Sequence, residues 1–182
     1  MSLQQELSSW FASRRPALTV SDPPAIGQKA PQTPNLPLET EHPTVLVFLR
    51  HTGCPFAEKT LINLREVARH HKDITFLAIS HSSQEATDTW LKSLPQAGSE
   101  PSNLQIIVDE KVEAYAAWGL GSSSYAHVLS PSALYAVWRL GNEEGIWNRP
   151  CESGSRWQMS GFFAIDQDGV MTYPPLLKLS TQ

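Results

Sequence analysis

From Thr44 to Arg50 the chain runs through Val-Leu-Val-Phe-Leu with no polar residue inside, which predicts a strand. The period then changes to that of a helix from Phe56 to His71, with Leu61, Leu64, Val67 and Ala68 on the inward stripe. Ile74 to Ser80 is a second apolar run, short enough to be a central strand. Ser83 to Leu94 reads as a helix capped by Ser83, and Leu104 to Val108 as a third strand. Lys111 to Trp118 is a short helix broken by Gly119-Leu-Gly-Ser-Ser-Ser124, and Pro131 to Leu140 is another. A long loop follows from Gly141 to Gln158. Phe162 to Ile165 and Val170 to Tyr173 flank Asp166-Gln-Asp-Gly169, a strong hairpin signal.

Ahead of this pattern, Leu3, Leu7, Trp10 and Phe11 form one helical stripe that Arg14-Arg15-Pro16 ends. Prolines at 16, 23, 24, 31, 34, 37 and 43 make the next stretch extended, either crossing the domain surface or lying as an arm. The boundaries expected are an N-terminal helix and Pro-rich arm over 1–43 and a domain over 44–182. Alternating strands and helices followed by an antiparallel hairpin predict an α/β fold, with a mixed sheet, helices on both faces and right-handed crossovers.

Composition narrows the partners. The 182 residues suffice for one domain with a buried core, and a net charge of −4 with no basic block argues against nucleic acid and anionic membrane. The apolar runs fall well short of the roughly 18 residues of a membrane span. Met1-Ser-Leu-Gln-Gln-Glu-Leu lacks the basic start and apolar centre of a signal peptide. Two cysteines make no disulfide framework, which fits a reducing, cytoplasmic location. There is no Cys/His cluster at zinc spacing, and the adjacent His70 and His71 point different ways on a helix. No glycine loop at a strand–helix turn cradles phosphate, so no metal, flavin or nucleotide is called for.

The chemistry centres on Cys54. It stands where the first strand turns into a helix, and unpaired N–H groups and the helix dipole there favour a thiolate, the reactive form. Pro55 suits the first helical turn, where its missing N–H costs nothing. The alternative is a small buried hydrophobe.

Three segments resemble the alkyl hydroperoxide reductase/thiol-specific antioxidant (AhpC/TSA) branch of the thioredoxin-like superfamily, and more narrowly its peroxiredoxin-like proteins widespread in fungi. They are Phe48-Leu-Arg-His-Thr-Gly-Cys-Pro-Phe56, Tyr115-Ala-Ala-Trp-Gly-Leu-Gly121 and Arg156-Trp-Gln-Met-Ser-Gly-Phe-Phe-Ala-Ile-Asp-Gln-Asp-Gly169. The resemblance covers roughly Thr44 to Tyr173 and implies a thioredoxin-like three-layer α/β/α fold. Thioredoxins carry a second cysteine where this chain has Ala57, so dithiol exchange at this motif is excluded. Their cis-proline has no counterpart in Met159-Ser160-Gly161, and Gly161 there leaves room for close backbone approach to the site. At the two peroxiredoxin positions Pro-x-x-x-Thr before the cysteine, this chain holds Val47 and His51, with Thr52 one place nearer.

By this resemblance the chain is a one-cysteine peroxidase for hydrogen peroxide or organic hydroperoxides. Cys54 is the nucleophile, and Arg156, His51 and Thr52 steady the developing charge. Arg50 and Arg149 are further candidates, and Glu58 either bonds the site or is a solvated acid. Cys151 is a candidate resolving thiol if its loop reaches the site, with glutathione or thioredoxin as the external alternative. Pro55, Phe56, Glu58, Arg50, Trp147, Trp157 and Gln158 are the expected pocket residues. Trp118 and Trp138 are expected in the core, and His127 is expected to be a packed histidine. A homodimer is compatible with the resemblance. Two other classes stay open: a cofactor-free enzyme acting on a small apolar metabolite, and a redox-inactive binding module.

Overall fold

Both faces of the strand β1, Thr44–Phe48, are buried. Leu46 and Phe48 point into one apolar cluster, while Val47 and the following Leu49 point into a second. The computed structural model describes residues 18–36, 38, 41–122, 131–149 and 153–176. The stripe from Leu3 to Phe11, His127 and Cys151 lie outside them.

Strand order is β3-β2-β1-β4-β5, which makes β1 central. It pairs in parallel with β2, Thr75–Ser80, from Thr44 opposite Thr75 to Phe48 opposite Ile79. On its other side it pairs antiparallel with β4, Gly161–Ile165, ending at Phe48 opposite Gly161. The strand β3, Leu104–Val108, extends the parallel half, and β5, Met171–Leu176, returns from the Asp-Gly hairpin. Asp166 stabilises that turn by accepting from the N–H groups of Asp168 and Val170, both at 2.9 Å. The mixed sheet and its terminal hairpin are therefore as the alternation of elements predicts.

Helix α1, Pro55–His70, buries Ala57, Leu61, Leu64 and Ala68 against one face of the sheet. Val67, expected on that stripe, lies past its edge and is 45% exposed. The inward position goes instead to Arg65, whose charge meets Glu100 and whose Nη1 donates to the carbonyl of Pro95 at 2.8 Å. Helix α2, Gln84–Ser93, starts with Ser83 accepting from the N–H of Ala86, as its cap signal predicts.

On the opposite face, the short helix α3, Glu113–Ala117, brings Tyr115 and then Trp118 under the sheet. Phe48, Trp118 and Phe163 interlock there, with ring centroids 4.8 Å apart for Trp118 and Phe163 and 5.6 Å for Phe48 and Phe163. Helix α4, Pro131–Glu144, runs past Leu140 because Gly141 packs instead of breaking it. A Cβ on Gly141 would stand 2.5 Å from the ring of Trp147. Trp138, expected in the core, is 55% exposed and stacks on Tyr135, since α4 turns only Ala133 and Gly141 fully inward.

The Pro-rich stretch crosses the domain surface, the first of its two expected courses. The N–H of Gly27 and the carbonyl of Gln28 bond Met171, and the N–H of Ala30 bonds Gly169, all at 2.9 Å, beside β5. Ala30 and Leu36 then join the cluster of Trp118 and Phe163. Gly119, with φ +77°, lets Pro23 lie against it, where a Cβ would come within 2.7 Å of the proline nitrogen. No helix among the described residues is long and apolar enough to cross a membrane.

Because Leu36 is fully buried, Leu36→Ala should lower the unfolding free energy by about 2–5 kcal/mol. Leu18→Ala, at a position 44% exposed, should change it little. Urea unfolding of both variants checks this, and equal effects would contradict the arm's place in the core.

Candidate active site

Parallel β1 and β2 end at one level, so the turns that follow them are neighbours. The N–H of Leu49 bonds the carbonyl of Ile79 at 2.8 Å, and beyond that the chain leaves the sheet. Between the two strand ends stands the hydroxyl of Tyr115, 2.7 Å from the carbonyl of Leu49 and 2.8 Å from that of Ile79. The turn 50–54 closes with the N–H of Cys54 donating to the carbonyl of His51 at 2.9 Å. Cys54 is the N-cap of α1, with extended backbone and Pro55 behind it, and its carbonyl accepts from Ala57 and Glu58. The residue is 5% exposed and belongs to the apolar cluster of Val47, Leu49, Ala57 and Leu61, against which Phe56 packs.

His51 is buried, and its Nδ1 accepts from the N–H of Gly53 at 3.2 Å. Burial first, then the charges of Arg156, Arg50 and His81, hold its pKa well below 6.5. The imidazole is therefore neutral near pH 7, and its proton sits on Nε2 as a hydrogen-bond donor. Thr52 is buried beside it. Its N–H and hydroxyl both lie 3.4 Å from the Oγ of Ser82, which donates more closely, at 3.0 Å, to the carbonyl of Ser153.

The loop ahead of β4 is fastened over both turns. Ser153 Oγ accepts from the N–H of Ser83 at 2.8 Å, and the carbonyl of Ser155 accepts from His81 Nε2 at 3.1 Å. The carbonyl of Arg156 accepts from Arg50 Nη2 at 2.9 Å. Gly154 allows the tight crossing, with φ +85° and room for a Cβ only at 2.9 Å from Ser82 Oγ. Gly161 has a different role from the one expected, since the space above its Cα is filled by the side chain of Leu120.

Glu58 is not a solvated acid. It is buried, and Arg149 grips it in a fork, with Nε at 3.0 Å and Nη2 at 3.1 Å. Arg149 also reaches Ser93 Oγ through Nη1, and its N–H donates to the carbonyl of Gly53 at 3.0 Å. Its charge is thus committed to Glu58. Arg50 is half-buried and has no carboxylate partner among the described residues. Arg156 and Trp157 are buried. Gln158 Nε2 turns to the carbonyls of Leu120 and Gly121, at 2.8 and 3.2 Å, and fastens the loop's far end. Trp147 is 50% exposed against Gly141 of α4.

The structure therefore gathers His51, Thr52, Cys54, Arg50 and Arg156 at one end of the sheet, and adds His81, Ser82 and Ser153. Of these, His81 and Ser82 carried a signal, a polar run Ser80-His-Ser-Ser83 closing an apolar strand, that as a sequence reads only as a helix cap. Among the described residues no group of His, Cys, Asp and Glu is placed to hold a metal.

No family profile and no curated protein sequence matches the chain. Among solved structures, a peroxiredoxin-like protein from Aquifex aeolicus is 12% identical, with a TM-score of 0.58 over 91% of this chain and 84% of that one. Peroxiredoxin 6 of Arenicola marina, in a cysteine-to-serine mutant, is 15% identical, with a TM-score of 0.56 over 87% and 66%. A thiol peroxidase from Chromobacterium violaceum is 13% identical, with a TM-score of 0.53 over 90% and 83%. At such identities the likeness is one of fold, and the fold is thioredoxin-like.

A histidine whose folded pKa lies below its unfolded value of 6.5 stabilises the fold above that pH, and the contribution is lost as pH falls below it. The unfolding free energy should therefore drop between pH 7.5 and pH 5.5, and His51→Asn should flatten the drop. Urea titrations at the two pH values measure it, and an unchanged slope in the variant would contradict a buried neutral imidazole.

Proposed function

We propose that this chain is a thiol peroxidase in which Cys54 reduces hydrogen peroxide or a small organic hydroperoxide. The observation that carries this reading is the placement of Cys54 as the N-cap of α1, three residues after a neutral histidine donor that itself feels the charge of Arg156. The thiolate sulfur attacks the terminal peroxide oxygen. An S–O bond forms, the O–O bond breaks, and the departing oxygen leaves as alkoxide or hydroxide and takes up a proton. Sulfur is oxidised by two electrons to a sulfenic acid, and the peroxide becomes an alcohol or water. Nε2–H of His51 and the hydroxyl of Thr52 are the donors toward the developing charge, and Arg156 supplies the positive field.

An external thiol of the glutathione or thioredoxin kind then condenses with the sulfenic acid and releases water, and a second thiol displaces Cys54 from the mixed disulfide. Cys151 is the internal alternative to the first of these thiols. In its favour, Arg149 is bonded to Gly53 and Ser153 to Ser82, so the chain is tied to the Cys54 turn two residues before it and to the neighbouring 81–83 turn two residues after it.

One observation favours a different class. Cys54 is 5% exposed in an apolar cluster, as a mere wall residue would be. The fold would then serve a cofactor-free reaction on a small apolar metabolite, or binding alone.

Peroxide should add one oxygen to Cys54 by intact mass. Cys54→Ser should abolish peroxide consumption, and Arg156→Gln should slow Cys54 oxidation about a hundredfold. Formation of a Cys54–Cys151 disulfide, absent in Cys151→Ser, would assign the resolving thiol. A Cys54 that excess peroxide leaves untouched would sink the peroxidase reading and favour the other class.

A further inference from the structure

We infer that the ligand of this site carries an anionic group, a carboxylate in the simplest case, and that Arg50 receives it. This rests on the peroxidase reading for the reaction it serves, but not for binding.

Arg50 stands two residues past the end of β1 and four before Cys54, and its Nη2 is pinned to the carbonyl of Arg156 at 2.9 Å. That bond orients the guanidinium but goes to a neutral carbonyl, and among the described residues no carboxylate pairs with its charge. Its Nε is buried with no hydrogen-bond partner, so the inner edge of the guanidinium is held without compensation and only its outer edge faces solvent. Among the described residues, the buried acids Glu58 and Asp109 are already committed. Glu58 is held in the fork of Arg149, and the Asp109 carboxylate accepts from the N–H groups of Glu113, Ala114 and Tyr115.

His51 is itself neutral, partly because Arg50 and Arg156 repel a proton there, so it adds no charge of its own to the cationic side. Since Arg50 is half-buried, a ligand can reach it from solvent while its reacting end goes inward. A planar guanidinium with unused donors is matched to the geometry of a carboxylate. The substrate class that follows is a hydroperoxide whose carbon skeleton bears a carboxylate.

The test compares a carboxylate-bearing hydroperoxide with its methyl ester by kcat/KM, in the full chain. It also compares binding of the corresponding hydroxy acid and hydroxy ester by calorimetry. The acid should be preferred roughly ten- to hundredfold in both measurements, the range of a charge-assisted hydrogen bond. Arg50→Gln should bring that ratio close to one, while Arg50→Lys should keep part of it. Equal handling of acid and ester by the unaltered chain would overturn the inference and leave the peroxidase reading standing. So would an Arg50→Gln variant that loses both substrates equally, which would give Arg50 to the Cys54 thiolate instead. If neither hydroperoxide oxidises Cys54, the peroxidase reading fails, and the calorimetric ratio alone decides the role of Arg50.

Discussion

The structure depends on one constraint, that β1 has strands on both sides and side chains buried on both faces. Water reaches neither surface of such a strand, so its peptide groups must all be paired along the ladders with β2 and β4. Polar chemistry is admitted only where the ladder stops. It stops after Leu49, and because β2 runs parallel to β1 it stops at the same level. The turns 50–54 and 81–83 are therefore brought together by strand direction. A cysteine at the end of one and a histidine–serine pair in the other become a site.

A polar group freed from the ladder but still buried needs a partner, and the loop 153–158 supplies most of them. Its carbonyls at Ser153, Ser155 and Arg156 take up donors from Ser82, His81 and Arg50, while its far end is fastened through Gln158. Tyr115 does the same from beneath, with one hydroxyl lying between two strand-end carbonyls. The Glu58–Arg149 fork closes the remaining side. Glu58 is the buried partner of that pair and Arg149 its half-exposed one, so loss of Arg149 would leave a buried carboxylate without its counter-charge. That pair thus ties the loop to the first turn of α1 more firmly than a surface bridge would. Fold stability and site geometry are, at this end, the same set of bonds.

What was legible in the sequence follows from this division. The order of strands and helices, the hairpin at Asp166-Gln-Asp-Gly169, the cap at Ser83 and Cys54 at the start of α1 are local signals, and each stands where its pattern puts it. The errors lie where tertiary contact overrides a local rule. Gly141 looked like a helix end but sits under Trp147, and Trp138 looked like core but stacks on Tyr135 in solvent. Val67 lost its inward place to Arg65, an arginine that no hydrophobic pattern would bury without knowing of Glu100. The cover of one sheet face by Ala30 and Leu36 was equally hidden, because a proline-rich stretch carries no period. At the site, the histidine and threonine could be seen, but their partners His81, Ser82 and Ser153 are distant in sequence and meet only through the parallel pairing.

The reaction proposed for Cys54 would divide two tasks between residue types. A neutral imidazole contributes direction, since its Nε2–H can point at a developing negative charge without competing for it as an ion. It contributes no net charge, and the field that keeps it neutral comes in part from Arg156 and Arg50, which do. The same two guanidiniums thus keep His51 from becoming a second cation. A threonine in place of His51 would give a donor of the same kind, but one whose protonation the arginines could not tune. A histidine at this position therefore links the donor to the local charge, and a change to Arg50 or Arg156 is felt at the imidazole as well.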